Sequence, residues 1–263
     1  MRSLYDASQA VSKLVVHSHD PDSDGCIVRV TPESAGWRYV GFEVLRVGAI
    51  TRREEAHVTC VVVLSGRASL AAEDREWRDV GRAGVFDGPP TALYVPPGTE
   101  WRATGDAEIA VCTAPASRGA EPRLLDAPRH ESRGTGAEAR EIAHILMEDE
   151  PAAALLVTEV ITPAGHWSSF PPHKHDRDDP PHETYLEETY YHRLRPANGF
   201  AFQRVYTDDA SLDETVAVRD GDVVLVPRGY HPVAAGARHD LYYLNVMAGP
   251  VREWHITPDP AFD

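Results

Sequence analysis

The chain has 263 residues, 42% of them hydrophobic and 25% charged, the balance of a globular protein long enough for two small β domains or one large domain. A formal net charge of −15, with no lysine or arginine stripe to offset it, excludes nucleic acid as a partner because phosphate backbones would be repelled. No apolar run reaches the roughly 18 to 20 residues that span a bilayer, the opening MRSLYDASQAVSKL has no signal core, and Cys26, Cys60 and Cys112 lack paired spacing, so a cytoplasmic chain without membrane or disulfide framework is expected.

In chain order, short runs rich in Val, Leu, Tyr and Thr are punctuated by Gly, Pro and Asp, which is β texture. The first half predicts strands at 37–47 (WRYVGFEVLRV), 58–66 (VTCVVVLSG) and 91–97 (TALYVPP). Cys60 lies inside the second of these and reads as core, not nucleophile. After Pro115 the sequence turns small, charged and poorly alternating, with a short helix predicted at 139–147 (AREIAHILM). That composition predicts a linker over 121–149, between an N-terminal domain at 1–120 and a C-terminal domain at 150–263. The second half predicts strands at 155–162, 189–194, 200–206, 222–227 and 240–246.

A repeat joins the halves: VVVLSGRASL followed by TALYVPPGTEW is echoed by TYYHRL followed by DVVLVPRGYHP. Each copy pairs a buried strand with a later strand ending in Pro-x-Gly. This pattern resembles that of cupins, small jelly-roll barrels, and implies an all-β chain of two tandem cupin domains.

Chemistry concentrates in the second half. His173 and His175 are two apart on an extended segment and so project from one face, with Lys174 pointing away. His231 follows a strand and the turn Pro227-Arg228-Gly229, which resembles the second cupin motif. Between them lie Glu183, Glu187 and Glu188, any of which is near enough in sequence to add the carboxylate that compensates a divalent cation among imidazoles. Parity favours Glu188, which shares a face with Tyr190 and His192, and His182 is the fallback ligand. The acidic excursion DRDDPPHETYLE separates His175 from this carboxylate by more residues than cupins usually place there. The first half has only His57 in its corresponding stretch and carries Glu100 and Trp101 after its Pro-Pro-Gly turn, so a metal-free N-terminal domain is expected.

Longer phrases, GHWSSFPPHKHD, EETYYHRL, GFAFQRVYTDD, DETVAVRDGDVVLVPRGYHPV and DLYYLNVMAGP, resemble the 5-deoxy-glucuronate isomerase family of bacterial myo-inositol catabolism. That family is similar to a keto-deoxy-uronate isomerase of pectin degradation. The resemblance implies conversion of 5-deoxy-D-glucuronate, a small anionic sugar acid, to 5-dehydro-2-deoxy-D-gluconate. It also implies a metal site of His173, His175, Glu188 and His231, with zinc as the expected ion and iron, manganese or nickel as alternatives, and a homo-oligomer. The metal would polarise the aldehyde, with Tyr190 or His192 moving the proton unless a hydride shift operates. For the substrate carboxylate Arg204 ranks first and Arg228 second, with Lys174 behind them. Alternation on 200–206 sends inward either Phe200, Phe202, Arg204 and Tyr206 or Ala201, Gln203 and Val205, so Tyr206 and Gln203 are both candidates; Tyr243 is expected to close the pocket. The competing readings are a cupin dioxygenase on the same ligand set and a cupin that binds sugar without reacting it.

Overall fold

The structure is a computed structural model that describes residues 12–262, so most of the opening segment read for a signal core lies outside the described residues. The chain runs through β1 (Val15–Val16), β2 (Cys26–Val30), a single helical turn α1 (Pro32–Ala35), β3 (Gly41–Arg53), β4 (His57–Ala72), β5 (Arg75–Arg82), β6 (Thr91–Val95), β7 (Glu100–Pro115) and β8 (Arg123–Leu125). It continues with β9 (Arg129–Arg133), β10 (Arg140–Leu146), β11 (Leu156–Thr162), β12 (Trp167–Ser168), β13 (His173–Lys174) and β14 (Glu187–Arg195). The last strands are β15 (Ala201–Tyr206), β16 (Asp213–Val218), β17 (Val223–Val226), β18 (Val233–Ala234), β19 (Asp240–Ala248) and β20 (Thr257–Pro258). The all-β expectation holds.

The N-terminal sheet has the order β2-β3-β7-β4-β6-β8, with β5 paired to β4. The C-terminal half has a large sheet, β1-β17-β14-β19-β11-β10-β9, facing a smaller one, β12-β18-β15-β16. The central strands of the two large sheets, β4 and β6 in one and β14, β17 and β19 in the other, are buried on both faces over most of their length. Cys60, Val62 and Tyr94 meet Tyr191, Leu225 and Tyr242 in an apolar core between the halves. The alternate residues Val61, Val63 and Trp101 fill the N-terminal half, and Tyr190, Val224 and Tyr243 face the interior of the C-terminal half. Two buried faces explain why VTCVVVLSG and DVVLVP are continuous apolar runs. A buried ion pair crosses the same boundary: Arg82 donates to Glu159 at 2.6 and 2.8 Å, and the Tyr242 hydroxyl donates to Glu159 at 3.0 Å.

The segment expected to be a linker carries structure of both halves. β8 pairs with β6, while β9 and β10 extend the C-terminal sheet. The helix predicted at 139–147 is strand β10, in register with β11 through Ile142 and Val160 and with β9 through Ile142 and Glu131. Because this strand is buried on both faces, Ile142, Ile145 and Leu146 are all apolar and imitate helical spacing. At the other end of the chain, β1 lies on the C-terminal sheet, with Val15 opposite Val224 and Leu14 in the C-terminal core.

Candidate metal centre

The inner face of β14 begins at Glu188, which sits between Val226 of β17 and Met247 of β19. Its Oε2 lies 3.1 Å from His175 Nε2 and 3.3 Å from His231 Nε2. One ligand atom from each of His175, Glu188 and His231 falls within 4.8 Å of the others, and all three residues are buried. His173, half-buried on β13, stands beside this trio with its ring 4.8 Å from that of His231 and 6.4 Å from that of His175.

The neighbouring carboxylates are engaged elsewhere. Glu187 projects from the opposite face of β14 and accepts the backbone N–H groups of Arg38, Tyr39 and Val40 at 2.7, 2.7 and 3.1 Å. Glu183 accepts from the backbone of Asp176 and Arg177 at 2.7 and 2.9 Å and from the Thr257 hydroxyl, which ties down the acidic excursion. His182 is exposed on that excursion.

Backbone carbonyls fix which imidazole nitrogen faces the carboxylate. The Nδ1–H of His175 donates to Leu186 O at 3.0 Å and that of His231 to Gly229 O at 2.8 Å, so each turns its Nε2 inward. Gly229 has φ 88°, and a Cβ there would meet the Tyr206 carbonyl oxygen at 2.3 Å, so only glycine makes this turn. The His231 Nε2 is buried and has no hydrogen-bond partner, since its approach to Glu188 is not aligned for one. Burial pushes His231 and His173 down to about 3, keeping both neutral. Burial also works to lower His175, but the hydrogen bond and charge of Glu188 outweigh it and hold that imidazole above its ordinary value. Two neutral imidazoles, a third drawn onto the same carboxylate, and a buried unsatisfied nitrogen among them fit a divalent cation, which would take the place of the His175 proton.

A pocket adjoins this cluster, lined by His173, Glu188, Tyr190 and Tyr243 among others. The Tyr190 hydroxyl bonds Ser169 at 2.9 Å and that of Tyr243 bonds Ser168. Burial raises both phenols, so they are proton-bearing donors. The other residues singled out from sequence lie elsewhere. His192 is buried beyond Tyr190, its Nε2 3.0 Å from Gln203 Oε1, and neither residue lines the cavity. The alternation on β15 sends Ala201, Gln203 and Val205 inward, so Arg204 and Tyr206 lie on the outer side, where Arg204 pairs with Asp213 at 2.8 and 3.0 Å and the Tyr206 hydroxyl donates to Asp259 at 2.5 Å. Arg228 is exposed at the turn and Lys174 pairs with Asp208.

Sequence reasoning missed Arg133, Arg140 and His144, which line the cavity from β9 and β10. His144 Nε2 lies 3.0 Å from Glu131 Oε2. The signal was present as a two-residue spacing of Arg140, Ile142 and His144, but it is legible only once the segment is read as strand.

A family model described as the KduI/IolB family matches residues 14–263. A protein of Geobacillus kaustophilus named 5-deoxy-glucuronate isomerase is 51% identical over 263 residues, covering 96% of this chain and 95% of its own. One of the same name from Bacillus subtilis strain 168 is 41% identical over 244 residues, covering 89% and 90%. Among solved structures, an IolB-like protein from Salmonella typhimurium LT2 superposes with a TM-score of 0.92 at 43% identity, over 95% of this chain and 98% of its own. The oxalate decarboxylase of Bacillus subtilis, with Mn(II) centres, superposes with a TM-score of 0.63 at 14% identity over 94% of this chain and 80% of its own, a likeness of the two-cupin fold alone.

Proposed function

We propose that this chain, which belongs to the KduI/IolB family, isomerises 5-deoxy-D-glucuronate to 5-dehydro-2-deoxy-D-gluconate with a divalent ion held by His173, His175, Glu188 and His231. The observation that carries the metal is the buried, unpartnered Nε2 of His231 aimed at the carboxylate that His175 also faces. An ion bound there supplies Lewis acidity toward the aldehyde and its neighbouring hydroxyl. Around it, the hydroxyls of Tyr190 and Tyr243 donate hydrogen bonds to sugar oxygens and hold protons at the reacting end, while the buried walls exclude water. Zinc is the ion we propose first, with iron, manganese and nickel as the alternatives that imidazole ligands also suit. We place the reaction in myo-inositol catabolism, in the cytoplasm, in a homo-oligomer. The described residues include no helix long and apolar enough to cross a membrane.

The test is anaerobic turnover of 5-deoxy-D-glucuronate followed by NMR, with metal content measured on the same samples. Ketose should form in metal-loaded protein, stop on chelation, return when the ion is restored, and be lost with the metal in His231→Ala. Full turnover by protein shown to be metal-free would overturn the metal assignment.

A further inference from the structure

We propose that Arg140 binds the carboxylate of the sugar acid, holding that end of the substrate against β10 while the aldehyde end meets His173 and Glu188. The proposal rests on the isomerase reading and adds to it the group that selects an acid over a neutral sugar. Arg140 lines the cavity and is only 6% exposed. Its Nη1 donates to the carbonyl of Glu138 and its Nη2 to that of Phe170, both at 2.9 Å. Among the described residues no carboxylate forms an ion pair with it, Glu138 acting on it only at a distance, so a buried guanidinium is held in place by two carbonyl dipoles without a paired counter-charge.

The other charged groups of the cavity are committed. Arg133 is bound to Glu131 through two hydrogen bonds, at 2.7 and 3.0 Å, and Glu188 faces the histidines. Arg140 therefore keeps free N–H donors in a fixed plane, the arrangement that meets both oxygens of a carboxylate at once. It also resolves a difficulty posed by the whole molecule, because a chain of net charge −15 repels an anionic substrate unless a local cation reverses the field.

The experiment uses the full-length, metal-loaded protein with Arg140→Gln and Arg140→Lys, and two substrates: 5-deoxy-D-glucuronate and 5-deoxy-D-glucose, in which a hydroxymethyl group replaces the carboxylate. Arg140→Gln should lower kcat/KM for the uronate by about 100-fold, mainly through KM, and leave that for the neutral sugar within about threefold. Arg140→Lys should lose about tenfold, since an ammonium keeps the charge without the fork. Metal content should be unchanged in both variants. Equal losses on the two sugars, loss of metal, or no loss on the uronate would each overturn the proposal. Should the unsubstituted protein turn over neither sugar, the isomerase reading fails, and calorimetric titration with glucuronate and glucose decides Arg140 separately. A preference for glucuronate that disappears in Arg140→Gln supports it; the absence of a preference, or its persistence in the variant, sinks it.

Discussion

Strand alternation sends Glu187 and Glu188 to opposite faces of β14, one toward the backbone of residues 38–40 and the other toward His175 and His231. Their substitutions should therefore separate stability from chemistry. Glu187→Gln removes a charge bonded to three backbone N–H groups and should cost about 2–4 kcal/mol in urea denaturation, with the metal content of the folded fraction unchanged. Glu188→Gln should keep a near-normal midpoint and lose the metal. A third titratable group on this strand, His192, is pushed down to about 4 by burial, with the Gln203 hydrogen bond opposing. Its neutral form favours the fold, so that contribution is complete above the ordinary value near 6.5 and is lost as pH falls through about 4, by up to about 3 kcal/mol. Denaturation midpoints measured across this window should fall with pH, and the slope should flatten in a His192→Leu, Gln203→Leu double variant.

At the scale of elements, the ligand strands were readable because their periodicity is local. His-x-His on an extended segment, parity along β14 and the glycine turn before His231 each depend on a few adjacent residues. The carboxylate-binding side of the cavity was hidden because β10 buries apolar residues on both faces, which imitates helical spacing, and its pairing with β9 and β11 depends on residues that sequence alone does not bring together. The same limit concealed β1, only two residues long, whose place on β17 is fixed by pairing and by burial of Leu14. Arg204 was favoured for its residue type, and only the alternation of β15 shows it turned outward to Asp213. The anchoring of β1 is testable: Leu14→Ala should lower stability by about 2–3 kcal/mol, read by chemical denaturation, because it empties a buried position in the C-terminal core.

Across the whole molecule, the two halves share an apolar core and the buried Arg82–Glu159 pair, so they should not melt apart. Calorimetry should show a single transition, and Arg82→Met, which leaves Glu159 buried with only the Tyr242 hydroxyl, should lower stability by about 3–5 kcal/mol. The position of β1 imposes an order on synthesis. Val15 and Val16 are made before the whole N-terminal half, yet their partners Val224 and Val223 lie on β17, well into the C-terminal half. The nascent chain must therefore hold β1 unpaired while the N-terminal half folds behind it, and the C-terminal sheet gains this edge strand only once β17 has been made.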